Sequence, residues 1–126
     1  MEKERKQKAH EFGHFAEEII AQHYIKKGYA ILERNWTLGK TEIDIIAQKD
    51  ATVIIIEVKA RSGKDEDALS AITPDKRRRM IRAADSYLKR LTGIYDYRFD
   101  IATVTGDTLN YEVNIFEDAF LAADLF

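Results

Sequence analysis

Apolar residues recur at helical spacing through the first part of the chain. Phe12, Phe15, Ile19, Ile20 and Tyr24 follow one another at intervals of three, four, one and four, the stripe of an amphipathic helix from Glu4 to Lys27. Lys26 and Lys27 precede Gly28, a combination that ends helices. The pattern then changes to strands. Tyr29 to Arg34 reads as a first strand and Asn35 to Lys40 as a connection. Glu42 to Ala47 and Thr52 to Ala60 read as the second and third strands. Arg61 to Thr73 is polar and contains glycine, the make-up of a mobile loop. Thr73-Pro-Asp-Lys76 opens a second helix with Pro74 in its first turn. Met80, Ala84, Tyr87, Leu88 and Leu91 form its apolar stripe, and Gly93 ends it. Arg98 to Thr105 and Leu109 to Ile115 are a fourth and a fifth strand, with a turn at Gly106-Asp107, and Ala119 to Phe126 has the pattern of a short helix. The order helix, three strands, helix, two strands predicts an α/β or α+β sandwich around a mixed sheet, with a three-strand meander at its centre.

Composition narrows the classes. The 126 residues are 45% hydrophobic, enough for one domain spanning residues 1–126 with a real core. Cysteine is absent, which excludes disulfides, thiolate metal sites and a cysteine nucleophile. The charged N-terminus, Met1 to Lys8, has no apolar core of a secretory signal, and the apolar runs are too short to span a bilayer. A cytoplasmic protein with no membrane partner is expected. The net charge of −2 does not itself suggest nucleic acid. However, residues 1–98 hold all 20 basic groups and 16 of the 22 acidic ones, a net of +4. Basic groups cluster at Lys3 to Lys8 and at Lys76, Arg77, Arg78 and Arg79. A positive face of this kind suits a phosphate backbone; solvated helix faces beside an acidic tail are the plain alternative.

Three charged groups interrupt the second and third strands: Asp44 in Glu-Ile-Asp-Ile-Ile, and Glu57 and Lys59 at the end of Val-Ile-Ile-Ile-Glu-Val-Lys. An ionised carboxylate in a buried sheet needs a cation. A hairpin turning at Asp50-Ala51 pairs residues whose numbers sum to 101, which sets Asp44 opposite Glu57 and Glu42 opposite Lys59. Like charges placed so repel, and a metal between them converts repulsion into coordination. Oxygen ligands favour Mg²⁺ or Mn²⁺. Strand-end carboxylates in water are the ordinary alternative. Glu17, beside the apolar stripe of the first helix, is a third acid that fits either reading. His10-Glu-Phe-Gly-His14 matches the HExxH zinc-peptidase pattern, but Gly13 weakens that turn and no third ligand has the right spacing, so surface histidines are expected. Trp36 and Tyr111 suit packing better than base stacking, and Asp100 suits a salt bridge with Arg98 or the second helix.

The hairpin with Asp44 and Glu57-x-Lys59, preceded by a helix with Glu17, resembles the PD-(D/E)XK nuclease superfamily, and its layout is similar to that of archaeal Holliday junction resolvases. A closer resemblance is to the YraN-like family of uncharacterised bacterial proteins. It rests on Gly13 with Ala16-Glu17, Lys27 to Trp36, Glu42-Ile-Asp-Ile-Ile46, Glu57-Val-Lys-Ala-Arg61, Lys76 and Arg98-Phe-Asp100, nearly the whole chain. Ala16 and Thr41 stand where that family usually has glycine, and Ile43 replaces the superfamily's proline before the aspartate. The resemblance implies a restriction-endonuclease-like core, a central mixed five-stranded β-sheet flanked by α-helices. It implies a Mg²⁺- or Mn²⁺-dependent nuclease acting on structured, branched or nicked DNA. Asp44, Glu57 and the Val58 carbonyl would bind the metal, Glu17 would complete its shell, and Lys59 would orient water. Arg61, Lys76, Arg77, Arg78 and Arg79 would hold nucleic acid, and a resolvase would act as a homodimer. A catalytically silent nucleic-acid-binding module of the same fold is the alternative; a pure interaction protein is the third class.

Overall fold

The computed structural model describes residues 1–62 and 72–120. Its elements are α1 (Glu2–Lys26), β1 (Ala30–Leu38), β2 (Thr41–Lys49), β3 (Thr52–Arg61), α2 (Pro74–Leu88), β4 (Asp96–Gly106) and β5 (Tyr111–Phe116). They form an α/β restriction-endonuclease-like core, a five-stranded mixed sheet in the order β1-β2-β3-β4-β5. All neighbours are antiparallel except β3 and β4, which run parallel from Thr52–Asp96 to Arg61–Thr105. A parallel pair needs a crossover, and α2 lies within it.

The sheet carries a core on each face. Ala16, Ile20, Ala21 and Tyr24 of α1 cover Ile45, Ala47, Ile54, Ile56, Ala102 and Val104. Met80, Ile81, Ala83, Ala84 and Tyr87 of α2 cover Ile43, Ile46, Val53, Ile55, Phe99 and Ile101 on the other face. β3 is therefore buried on both sides, which is why its sequence is a continuous apolar run instead of an alternating one. Gly28 takes φ +93° and closes α1 with a Schellman motif: the Gly28 N–H donates to the Ile25 carbonyl and the Tyr29 N–H to that of Tyr24, both at 3.0 Å. Thr73 caps α2, its Oγ1 accepting the Lys76 N–H at 3.2 Å, with Pro74 following.

Two elements differ from the periodicity. β1 runs on to Leu38 through what reads as a connection, because Trp36 pairs with Ile43 and its ring meets Tyr87 edge-on at 5.2 Å. Asn35 hides this continuation: it takes φ +52° in mid-strand, a conformation asparagine tolerates. α2 stops at Leu88, short of Gly93, while Leu91 beyond it still packs on the core. Most of the expected loop after Arg61, and the expected C-terminal helix beyond Phe120, lie outside the described residues.

Candidate metal centre

The β2–β3 hairpin turns where the pattern places it. Lys49 pairs with Thr52 and the register, summing to 101, holds to Ile45–Ile56. There the ladder stops. The next positions, Asp44 and Glu57, fall where the two strands part, so the pairs Asp44–Glu57 and Glu42–Lys59 are not made. Side-chain alternation in β2 also steps at this point, since Ile43 and Ile46 join the α2-side core while Ile45 and Ala47 join the other. Asn35, with its left-handed backbone, sits level with this step between the pairs Arg34–Ile45 and Trp36–Ile43. The Asp44 carboxylate replaces a ladder partner: its Oδ2 accepts the Val58 N–H at 2.8 Å. One main-chain donor of β3 thereby fixes the aspartate beside the glutamate that precedes it.

Glu57 is 4% exposed, on the face that α2 covers. Lys76, in the first turn of α2, donates to its Oε1 at 2.5 Å, and the Lys59 ammonium lies 3.4 Å from the same oxygen. Burial pushes the Asp44 carboxyl up to about 7 and the negative charge of Glu57 adds to that rise, with Glu17 contributing in the same direction; the Val58 N–H and the Lys76 charge pull against it. Burial alone would lower the Lys76 ammonium, but its hydrogen bond and charge contact with Glu57 outweigh burial and raise it. The site is thus an acid pair that cannot comfortably hold two negative charges, with two ammonium groups drawn to one member.

Profile comparison decides the family: Uncharacterised protein family UPF0102 matches residues 16–104. The chain belongs to UPF0102. It is 41% identical to a UPF0102 protein of Phocaeicola vulgatus over 114 residues, covering 87% of this chain and 92% of that one. A UPF0102 protein of Flavobacterium psychrophilum is 39% identical over 111 residues, 87% and 93% of the two chains. One from Clostridium perfringens is 39% identical over 113 residues, 86% and 92%. The stretch matched to UPF0102 includes Glu17, Asp44, Glu57, Lys59 and Lys76.

The other residues singled out in this UPF0102 chain are distributed unevenly. Glu17 approaches from α1, half-buried next to the fully buried Ala16, close enough to act on Asp44. Arg77 is turned to structural use: its Nε donates to the Ile72 carbonyl at 3.0 Å and its guanidinium lies 5.5 Å from the Phe120 ring centre. Arg78 pairs with Asp75 at 2.9 Å. Arg79 is exposed. Arg61 follows Lys59 at the end of β3, half-buried. Asp100 stays out of the cluster. It is fully buried and accepts from Arg98 at 2.8 and 3.0 Å and from the Tyr24 hydroxyl at 2.6 Å, which fastens α1 to β4. Sequence reasoning assigned Lys76 to nucleic acid and missed its bond to Glu57, because nothing in a 19-residue separation announces a contact. The Val58 N–H was missed as well; a β-run ending in a buried acid was its only signal.

Donor chemistry fits a hard divalent cation: the carboxylates nearest each other carry only oxygen, and their mutual repulsion is what a cation relieves. Among the described residues, no three His, Cys, Asp or Glu side chains gather closely enough to hold a metal unaided. Mg²⁺ ordinarily takes one or two carboxylates and completes its shell with water and substrate phosphate, so two suffice. His10 and His14 face each other, Nε2 to Nε2 at 3.0 Å, on the exposed first half of α1, and among the described residues no acid joins them to complete a metal site.

Proposed function

We propose that this UPF0102 protein is a divalent-metal-dependent nuclease that hydrolyses phosphodiester bonds in structured or branched DNA. The observation that carries the reading is the cluster at the parting of β2 and β3. Asp44, held by the Val58 N–H, is raised by burial and by the charge of Glu57, and Lys59 and Lys76 flank that glutamate. Asp44, Glu57 and the Val58 carbonyl would hold Mg²⁺ or Mn²⁺, with Glu17 reaching the shell through water. When bound, such an ion lowers the pKa of its water and neutralises phosphate charge.

The chain's own part follows from the charges. Asp44 must shed its proton to serve, and a cation close by favours that. Lys59 exchanges its contact with Glu57 for the phosphate and positions the attacking water, stabilising charge on the pentavalent centre. Lys76 is freed from Glu57 in the same exchange. Arg79 and Arg82 are exposed on α2 and have no ion-pair partner among the described residues, which suits them to phosphates beside the site. Few groups suited to reading base edges accompany them, which favours recognition of shape over sequence. Action on four-way junctions would require a homodimer, since the substrate is a two-fold object. The reading sets the protein in the cytoplasm, where DNA and Mg²⁺ are at hand; no helix among the described residues is long and apolar enough to cross a membrane.

One observation favours a second reading. The Lys76 ammonium already neutralises Glu57 at 2.5 Å, as it would in a catalytically silent nucleic-acid-binding module. Cleavage assays on branched, nicked and single-stranded DNA with Mg²⁺ or Mn²⁺ separate the two. The nuclease cuts, and Asp44→Ala and Lys59→Ala each lose activity at least about a hundredfold. Binding without cutting establishes the silent module. Cutting that survives both substitutions belongs to a contaminant.

A further inference from the structure

A cavity of about 600 Å³ opens on the α1 face of the sheet, bounded by Arg5, Lys8 and Phe12 of α1, by Ala60 and Ser62 at the end of β3, and by the β4–β5 turn at Asp107. Its volume is in the range that takes a small ligand or one nucleotide. The first three turns of α1 form its roof. Every residue from Met1 to Glu11 is exposed, and the buried positions of the helix begin only at Ala16. A helical stretch that short and without its own packing is marginal in water, so it has stability to gain from a partner.

The charges on that roof are unspent. Arg5 and Lys8 have no ion-pair partner among the described residues. Two acids also line the cavity: Glu11 accepts from the Gln7 amide at 3.4 Å, and Asp107 is occupied within its own turn, where Oδ1 accepts the Leu109 and Asn110 N–H groups at 2.9 and 2.8 Å. Phe12 is half-buried and leaves part of its ring to the cavity. Two free cations beside an aromatic ring are the elements of a single-strand nucleic-acid site, the cations for phosphate and the ring for a base.

Location ties this cavity to the cluster described above. Ser62 is three residues beyond Lys59 on extended chain, about 10 Å. Alternation sends Glu57 and Lys59 to the α2 face, whereas Ala60 packs on the α1 side. A strand serving both places must therefore bend over the end of β3. Duplex DNA, with a persistence length of about 150 base pairs, makes that bend only at a cost of several kcal/mol. An unpaired strand bends without that cost.

We propose that the cavity under the first half of α1 binds an unpaired nucleotide, with its phosphates on Arg5 and Lys8 and its base against Phe12, so that the substrate is DNA carrying a single-stranded segment next to the scissile bond. This rests on the nuclease reading for where the strand leads, but the binding step is tested without it. The probe is a fluorescent single-stranded oligonucleotide and the matching duplex, titrated by anisotropy in EDTA. Arg5→Ala with Lys8→Ala weakens single-strand binding at least about tenfold, and the slope of log affinity against log salt becomes shallower by about 1.4. Phe12→Leu, which keeps an apolar side chain against the core, weakens single-strand binding about tenfold and leaves the duplex unchanged. Single-strand affinity that neither variant alters overturns the proposal. So does an equal loss for strand and duplex with Phe12→Leu. Size-exclusion chromatography on the same variants closes the other route: a dimer that Arg5→Ala with Lys8→Ala dissociates assigns the cavity to a second copy of the chain and overturns it too. If no DNA is cut yet single-strand binding follows these residues, the nuclease reading falls and the nucleotide site stands.

Discussion

Asp44 is the residue on which the chemistry turns, and its titration has a definite sign. Burial, then the charge of Glu57, lifts its carboxyl to about 7, well above the roughly 3.9 of an unfolded aspartate. The folded chain therefore holds this proton more tightly than the unfolded one. Its stabilising contribution is full below the unfolded value and is lost as pH rises through about 7. Asp44→Asn removes that loss. In thermal melts without divalent ions its stability relative to wild type is expected to rise by roughly 1–3 kcal/mol between about pH 5 and about pH 8. A difference between the two that stays constant over this range contradicts the burial of this charge. Lys76 acts in the opposite sense. Lys76→Ala leaves Glu57 buried with Lys59 at 3.4 Å as its cation among the described ion pairs. Breaking a fully buried pair costs about 3–5 kcal/mol; with Lys76 still 31% exposed, a loss of roughly 2 kcal/mol in denaturant unfolding is expected. Arg79→Ala, on the exposed side of the same helix, stays within about 0.5 kcal/mol.

At the scale of the element, the β2–β3 hairpin is the part most legible in the sequence. A two-residue turn and alternating faces fix the register to Ile45–Ile56, and that alone brings Asp44 and Glu57 to one place. What alternation could not reveal is that the strands separate there, since the separation depends on the Asn35 backbone and on a side-chain bond from Asp44 to Val58. β1 was read too short for the same reason: one left-handed residue looks like a loop but is spanned by the ladder on either side. Lys76 was assigned by its neighbours in sequence, three arginines, while its partner was decided by the crossover that lays α2 over Glu57. The β4–β5 turn shows the reverse, a local signal that was sufficient. Gly106 takes φ +126°, and a Cβ there would run into the Asn110 carbonyl oxygen. Gly106→Ala is expected to lower stability by roughly 2 kcal/mol or more in denaturant unfolding. A neutral result contradicts the turn.

For the molecule as a whole, the sheet is a plate whose two helices cover opposite faces, and the parting of β2 from β3 lets charged groups from both sides meet. Glu17 comes from the α1 face and Lys76 from the α2 face, and Asp44 feels both. Most of the basic groups sit on these helices and the hairpin, while the chain beyond Arg98 is acidic only, so a polyanion is steered away from β5. Family membership and fold are settled together by the UPF0102 match and the topology; the activity depends on whether the acid pair takes up an ion. Titration of Mn²⁺ into the protein by isothermal calorimetry near about pH 8, where Asp44 is ionised, measures this directly. One ion bound per chain, with affinity reduced at least about tenfold in both Asp44→Ala and Glu57→Ala, is the predicted result. No uptake by the wild type, or uptake that both substitutions leave unchanged, contradicts it.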